Sequence, residues 1–258
     1  MLRLQQMSHT QVETHLREHP NAVAVLAVGS TEQHGFGPCG TDHLIAKYLS
    51  HRVTEGVENT VLVPSIAYGM SKHHTWASGT ISLPWELFQG LVANVLEELY
   101  RSGFRRVVII NGHGGNHEPI EMAIKSVRTF HKDLQVQNRL MIYVQVEEKY
   151  ENPIREQMLE LCAAVGQQEL SHADAPEFSL LFAMFPTLQQ YLDADLAEMP
   201  KLPDLSAVTG VRDPQEWKAK MAPCRGGKGD PREANLEVGA KVVQALVAQL
   251  VADATTGW

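Results

Sequence analysis

Two short apolar runs constrain this chain more than any other feature. "AVAVLAVG" (22–29) and "RRVVIING" (105–112) are near-continuous in hydrophobic residues, and each ends in glycine. A strand with one wet face alternates apolar and polar side chains, so a run that does not alternate suits burial on both faces. "TVLVPSI" (60–66) and "RLMIYVQV" (139–146) give two more strands. Between them, residues 42–55, 85–102 and 117–132 carry helical spacing, and a last helix is expected near 232–253. Strands alternating with helices of this length predict an α/β chain with a mainly parallel sheet covered on both faces. The 258 residues suffice for one such domain. The stretch 195–231, richer in Pro, Gly and charge, reads as a long ordered excursion within it.

Composition removes several function classes. The net charge of −8, without a Lys/Arg cluster, argues against a nucleic-acid partner. "MLRLQQMSHT" lacks the apolar core of a leader peptide, and no run approaches a membrane span. Three scattered cysteines, Cys39, Cys162 and Cys224, fit a reducing cytoplasm better than a disulfide framework. No CxxC pair is present to hold zinc through thiolates.

In open parallel sheets, ligands sit beyond the carboxyl ends of the strands. That rule sorts the twelve histidines. "GSTEQHGFGPCGTDH" (29–43) follows the first strand and offers Glu32, His34 and Asp42. His73 and His74 follow the second, ahead of Trp76, Ser78 and Gly79. The third ends in "NGHGGN", where Gly112, Gly114 and Gly115 allow a tight turn at His113. Further on, "SHADAPEFSLL" puts His172 in a loop and Glu177 in the first turn of a helix, with Pro176 suited to its start.

Glu32 and His34 are two apart, so in extended backbone they share a face and can reach adjacent ions. Asp42, near a helix start, can give one carboxylate oxygen to each. Mixed His and carboxylate ligands suit Zn, Mn or Fe(II) and disfavour an all-oxygen calcium site. Two such ions roughly 3.5–4 Å apart can activate water and polarise a carbonyl. A base or proton shuttle is then needed, which His172 can supply.

Taken in order, "GSTEQHG…GTDH", "SGTISL", "NGHGGN" and "HADAPEFSLL" resemble the motifs of the creatininase (creatinine amidohydrolase) family, over about residues 20–185 and weakly in the last helix. The resemblance implies a three-layer α/β/α fold, two divalent metal ions, a small-molecule substrate and commonly a homohexamer. It implies that Glu32 and His113 hold one ion, that His34 and Glu177 hold the other, and that Asp42 bridges them. His172 matches the acid–base histidine. His73, His74, Trp76, Ser78, Gly79 and Gly114 fall in substrate-side segments.

The chain also departs from its relatives. Family members usually read EQHGPHLPLGTD, whereas this chain reads EQHGFGPCGTD, one residue shorter and without the second histidine. Creatinine-cleaving members read NGHYEN, and here Gly114 and Gly115 replace the tyrosine and glutamate. The tryptophan that those enzymes carry four residues before the acid–base histidine is Gln168. Creatinine is therefore not the expected substrate. The expectation is an amidohydrolase acting on a cyclic amide or related C–N bond. Ring-opening C–C hydrolysis of a diketo-sugar or inositol derivative and peptide trimming are the alternatives within the family. A non-catalytic metal-binding scaffold is the alternative outside it. Cys39 is expected to be a small buried side chain, and His43 to cap or solvate a helix. His117 is expected to be structural.

Overall fold

A computed structural model describes residues 1–140, 155–167, 172–191, 213–222, 225, 227 and 229–258. Among the described residues, five parallel strands form one sheet: β1 (Leu2–Arg3), β2 (Val23–Val28), β3 (Thr60–Ile66), β4 (Arg106–Asn111) and β5 (Gln135–Leu140), in the order β1-β3-β2-β4-β5. The helices are α1 (His9–Glu18), α2 (Thr41–Gly56), α3 (Trp85–Arg101), α4 (His117–Phe130), α5 (Arg155–Ala164), α6 (Ala175–Met184), α7 (Pro214–Met221) and α8 (Leu236–Thr256).

The apolar runs are buried as their lack of alternation requires. Along β2, Val23, Val25 and Ala27 join a core with residues of α2, α5, α6 and α8. Ala24, Leu26 and Val28 join a second core with residues of α3 and α4. Period-two geometry thus feeds one strand into two cores, and helices flank the sheet on both sides.

From β2 the chain crosses through α2 to β3 on one side, and from β4 through α4 to β5 on the other. The connections diverge at the β2/β4 pair, the switch point where an open α/β sheet leaves a crevice. Val28 pairs with Asn111, so both strands end at the same level. Glu32, His34 and Asp42 leave from one, and His113 from the other.

Three features differ from the sequence reading. The fourth expected strand begins at Gln135 and not at 139, and residues 141–146 of that expectation lie outside the described residues. β5 pairs with β4 alone among the described strands, so its "QVQN" start need not be apolar on both faces. α8 runs to Thr256 and is long and apolar enough to cross a membrane by length and composition. Its Val242, Leu246 and Leu250 are buried in the core shared with α2 and α6. Of the 195–231 excursion, the described part includes α7, begun by the Asp213 cap and Pro214.

Leu26 is fully buried at the centre of the sheet. Leu26→Ala is expected to cost about 2–5 kcal/mol of stability, the range for emptying a large core position, measured by urea unfolding at unchanged m-value.

Candidate metal centre

The first strand end is shaped by main-chain bonds before any ligand is considered. The backbone N–H of Glu32 donates to the Cys39 carbonyl at 2.9 Å, and that of Ile81 to the Thr31 carbonyl at 2.9 Å. The Gln33 backbone N–H donates to Thr80 Oγ1 at 3.0 Å, which ties the 29–43 loop to the Ser78–Thr80 segment. On the β4 side, Asn116 Nδ2 donates to the Gly29 carbonyl at 2.9 Å, and Asn116 Oδ1 accepts from the Met70 N–H at 3.0 Å. One asparagine of the NGHGGN turn therefore clamps the loops after β2 and β3.

Asp42 is the second residue of α2 and is buried. It reaches the crevice because Gly112 lets the chains touch: a Cβ at Gly112 would lie 2.2 Å from the Asp42 carbonyl oxygen. Its two carboxylate oxygens part company. Oδ1 lies 3.2 Å from His34 Nε2, and Oδ2 lies 3.0 Å from His113 Nδ1 and accepts from Ser30 Oγ at 2.6 Å. His34 Nε2 also lies 3.5 Å from Glu177 Oε1, while His113 Nδ1 lies 3.4 Å from Glu32 Oε1.

Glu177 is held at the start of α6. Asp174 caps that helix, its Oδ1 accepting from the Glu177 N–H at 3.0 Å, with Pro176 in the first turn. The Ala173 N–H donates to Glu177 Oε2 at 2.7 Å. Ala173 has φ 52°, a left-handed conformation uncommon for alanine, directly after His172.

The structure brings six predicted residues, Glu32, His34, Asp42, His113, His172 and Glu177, into one buried cluster. His74, expected on the substrate side, belongs to it too. His74 Nε2 and His172 Nδ1 lie 3.8 and 3.5 Å from Glu32 Oε1, and the two rings stack with centroids 4.2 Å apart. His73 is half-buried beside His74, Trp76 and Gly114 are half-buried, and Ser78 and Gly79 are exposed. Cys39 is half-buried, not buried as expected, because it lies beneath the exposed turn at Gly79: a Cβ there would approach its sulfur to 2.9 Å. His43 turns away from the crevice and bonds Ser65 Oγ at 2.8 Å.

Sequence reasoning passed over Ser30, Gln33 and Trp217. Trp217 of α7 packs edge-on against His73 and His74 with centroids 5.5 and 5.2 Å apart. Gln33 was legible in principle, since it stands between two ligand-type residues.

The cluster fits divalent ions on its own chemistry. Among the described residues, three sets offer one ligand atom each within 4.8 Å of one another: Glu32, Asp42 and His113; His34, His172 and Glu177; Glu32, His74 and His172. Glu32 Oε2 is buried with no hydrogen-bond partner among the described residues, a costly state that a cation relieves. His34 Nδ1 donates to the Glu32 carbonyl at 3.0 Å, and His113 Nε2 to the Met70 carbonyl at 3.1 Å. Each ring thus keeps its other nitrogen for a ligand, the usual arrangement behind a metal-bound histidine.

Without metal, protons hold these charges together. Burial pushes the Glu32 carboxyl up to about 7, with His113 opposing. Burial would also raise Asp42, but His34 and His113 outweigh it and hold that carboxyl well below the usual range. Burial would lower His34 and His113, yet Glu177 and Asp42 hold His34 well above its ordinary value, and Glu32 with Asp42 raises His113 to about 9. His74 goes the other way, lowered by burial and by His172 and His73.

The family model described as creatinine amidohydrolase matches residues 5–253. Creatinine amidohydrolase of Pseudomonas putida is 28% identical over 178 residues, 65% of this chain and 66% of that protein. Mycofactocin precursor peptide peptidase of Mycobacterium tuberculosis (strain ATCC 25618 / H37Rv) is 37% identical over 122 residues, 42% of this chain and 47% of that protein. The 3-dehydro-scyllo-inosose hydrolase of Thermotoga maritima is 27% identical over 184 residues, 70% and 56%. The matched stretches thus span roughly half to two thirds of these relatives. A manganese creatininase superposes with TM-score 0.75 at 25% identity, covering 98% of this chain and 96% of that one.

Metal ligands must be deprotonated, so ions and protons compete for His34 and His113. Both histidines are raised, so their stabilisation of the metal-free protein is present below about 6.5 and lost as pH rises, for His113 through about 9. Zinc titration by calorimetry in buffers of different ionisation enthalpy is expected to show net proton release near neutrality. The share of the release that comes from His113 should fade above about 9, where that ring is already neutral.

Proposed function

Because the chain belongs to the creatininase family, we propose that it is a metal-dependent hydrolase with a dinuclear centre, acting at the carbonyl carbon of a cyclic amide or related C–N bond. The observation that carries this reading is the split carboxylate of Asp42, with one oxygen toward His34 and the other toward His113. Glu32 and His113 would hold one ion, His34 and Glu177 the other, and Asp42 would bridge them. Bound there, divalent Zn, Mn or Fe would polarise a carbonyl and lower the pKa of water.

The chain's own residues supply the rest. Ser30 steadies the Asp42 carboxylate at Oδ2. Gly112 admits Asp42 to the crevice. His172 turns Nδ1 toward Glu32, where it would donate to charge building on the substrate or to the leaving group. Trp217 and His73 wall the side on which His74 stands, and with Trp76, Ser78, Gly79 and Gly114 they are the proposed substrate side.

Creatinine itself fits poorly. A Cβ at Gly115 would lie 2.5 Å from the Met70 carbonyl oxygen and 2.6 Å from His113 Nε2, so this turn has no room for the glutamate of NGHYEN. The 37% identity to a peptide peptidase favours peptide trimming as the second reading. Amine release and product mass across cyclic amides, short peptides and a cyclic β-diketone separate these from C–C cleavage, which frees no amine.

Asp42→Ala is expected to lose metal and turnover together. His172→Ala is expected to keep its metal and lose about 10²–10⁴ in rate. Elemental analysis beside the same substrate panel decides the matter. Full metal content and activity in Asp42→Ala would overturn the assignment.

A further inference from the structure

Between Glu32 and His34 stands Gln33, buried, whose side chain reaches two other histidines. Its Nε2 lies 2.8 Å from His74 Nδ1 and 2.8 Å from His172 Nε2. Its Oε1 accepts from the backbone N–H of Gly35 at 2.9 Å. That third contact decides the other two. A backbone N–H can only donate, so the atom facing Gly35 is the amide oxygen and the NH₂ group faces the histidines. An amide hydrogen turned to each ring makes His74 Nδ1 and His172 Nε2 acceptors, and an accepting nitrogen carries no proton.

A neutral imidazole carries one proton, so it then resides on His74 Nε2 and on His172 Nδ1. These are the two nitrogens directed at Glu32 Oε1, 3.8 and 3.5 Å away. His34 and His113 have the opposite setting. Their far nitrogens donate to the carbonyls of Glu32 and Met70, so each ring, once neutral, presents its bare nitrogen to the carboxylates. Four buried histidines around one carboxylate cluster are therefore sorted by what stands behind each ring. A carbonyl behind the ring makes a metal ligand, and an amide N–H behind it makes a hydrogen-bond donor.

We propose that Gln33 is a positioning residue: it fixes the tautomers of His74 and His172 so that both turn an N–H to the reaction centre and stay off the metal ions. The Glu32, His74 and His172 set is spaced like a metal site, but with protons on the nitrogens that face Glu32 it does not ligate. His172 then works as a neutral donor, as an imidazole does when it polarises a carbonyl. The clamp is itself held, since Thr80 accepts from the Gln33 backbone N–H at 3.0 Å. The catalytic consequence rests on the dinuclear hydrolase reading above; the tautomer assignment does not.

The test is a long-range ¹H–¹⁵N correlation spectrum of histidine-labelled protein at mildly alkaline pH, metal-free and zinc-loaded, with His74→Asn and His172→Asn assigning the signals. His172 is expected in the Nδ1–H form, the minor tautomer of free imidazole, and His74 in the Nε2–H form, in both samples. Gln33→Leu should return His172 to the Nε2–H form. Gln33→Glu keeps the acceptor for Gly35 but has no N–H to donate, so it too should lose the Nδ1–H signal. An Nε2–H or doubly protonated His172 in the unsubstituted protein overturns the proposal, and so do unchanged tautomers in a folded Gln33→Leu. Zinc stoichiometry on the same samples separates the two readings. An Nδ1–H His172 in a protein that takes up fewer than two ions would end the dinuclear reading and leave Gln33's role standing.

Discussion

Everything in this crevice hangs on one buried carboxylate. Asp42 cannot serve His34 and His113 at once unless its helix starts within reach of both strand ends. That requires β2 and β4 to finish level, as the Val28–Asn111 pairing ensures. It also requires the backbone after β4 to pass against the start of α2, which Gly112 permits and a side chain there would forbid. Ser30 then fixes Oδ2, so the carboxylate plane is set by the same loop that carries Glu32 and His34. The sheet register, one glycine and one hydroxyl together aim two oxygens in two directions.

Such an arrangement is expensive for the protein alone. Three carboxylates and four histidines are taken out of water, and burying charge costs several kcal/mol per ion even when partners are near. In the metal-free protein, raised histidines and a raised Glu32 carry the compensation. Glu32 Oε2, without a hydrogen-bond partner among the described residues, shows that the protons do not finish the task. Divalent ions would, and in doing so they would turn a destabilising cluster into a Lewis-acid centre. The similarity of this chain to hydrolases named for different substrates is consistent with the same separation. On the proposed reading, the buried cluster would supply the hydrolytic chemistry, while the half-buried and exposed residues around His73, Trp76 and Gly79 would select the substrate.

Much of this was legible in the residue order. Unalternating runs meant two-faced burial, and β2, β3 and β4 lie within a residue of where those runs fall. The start of β5 was set too late, because a strand paired on one side only among the described residues needs fewer apolar residues than a central one, so its polar start carried no signal. Six cluster residues were legible because metal chemistry restricts ligand types, and strand ends restrict where they can gather. Ser30 and Trp217 were not, and of Gln33 only its place between two ligand-type residues was. Their parts depend on partners 139 and 12 residues away for Gln33 and Ser30, and on α7 folding back over His73 and His74 for Trp217.

The sequence by itself determined which side chains could bind metal and which edge of the sheet would carry them, because side-chain chemistry and strand periodicity are local properties. Only the tertiary structure decided which histidines are free to ligate. That choice turns on the far side of each ring, where a carbonyl of Glu32 or Met70, or the amide of Gln33, decides which nitrogen holds the proton. Identical residues thus acquire opposite roles. For His74, His113 and His172 nothing local encodes the difference, since the group behind each ring comes from 41, 43 and 139 residues away.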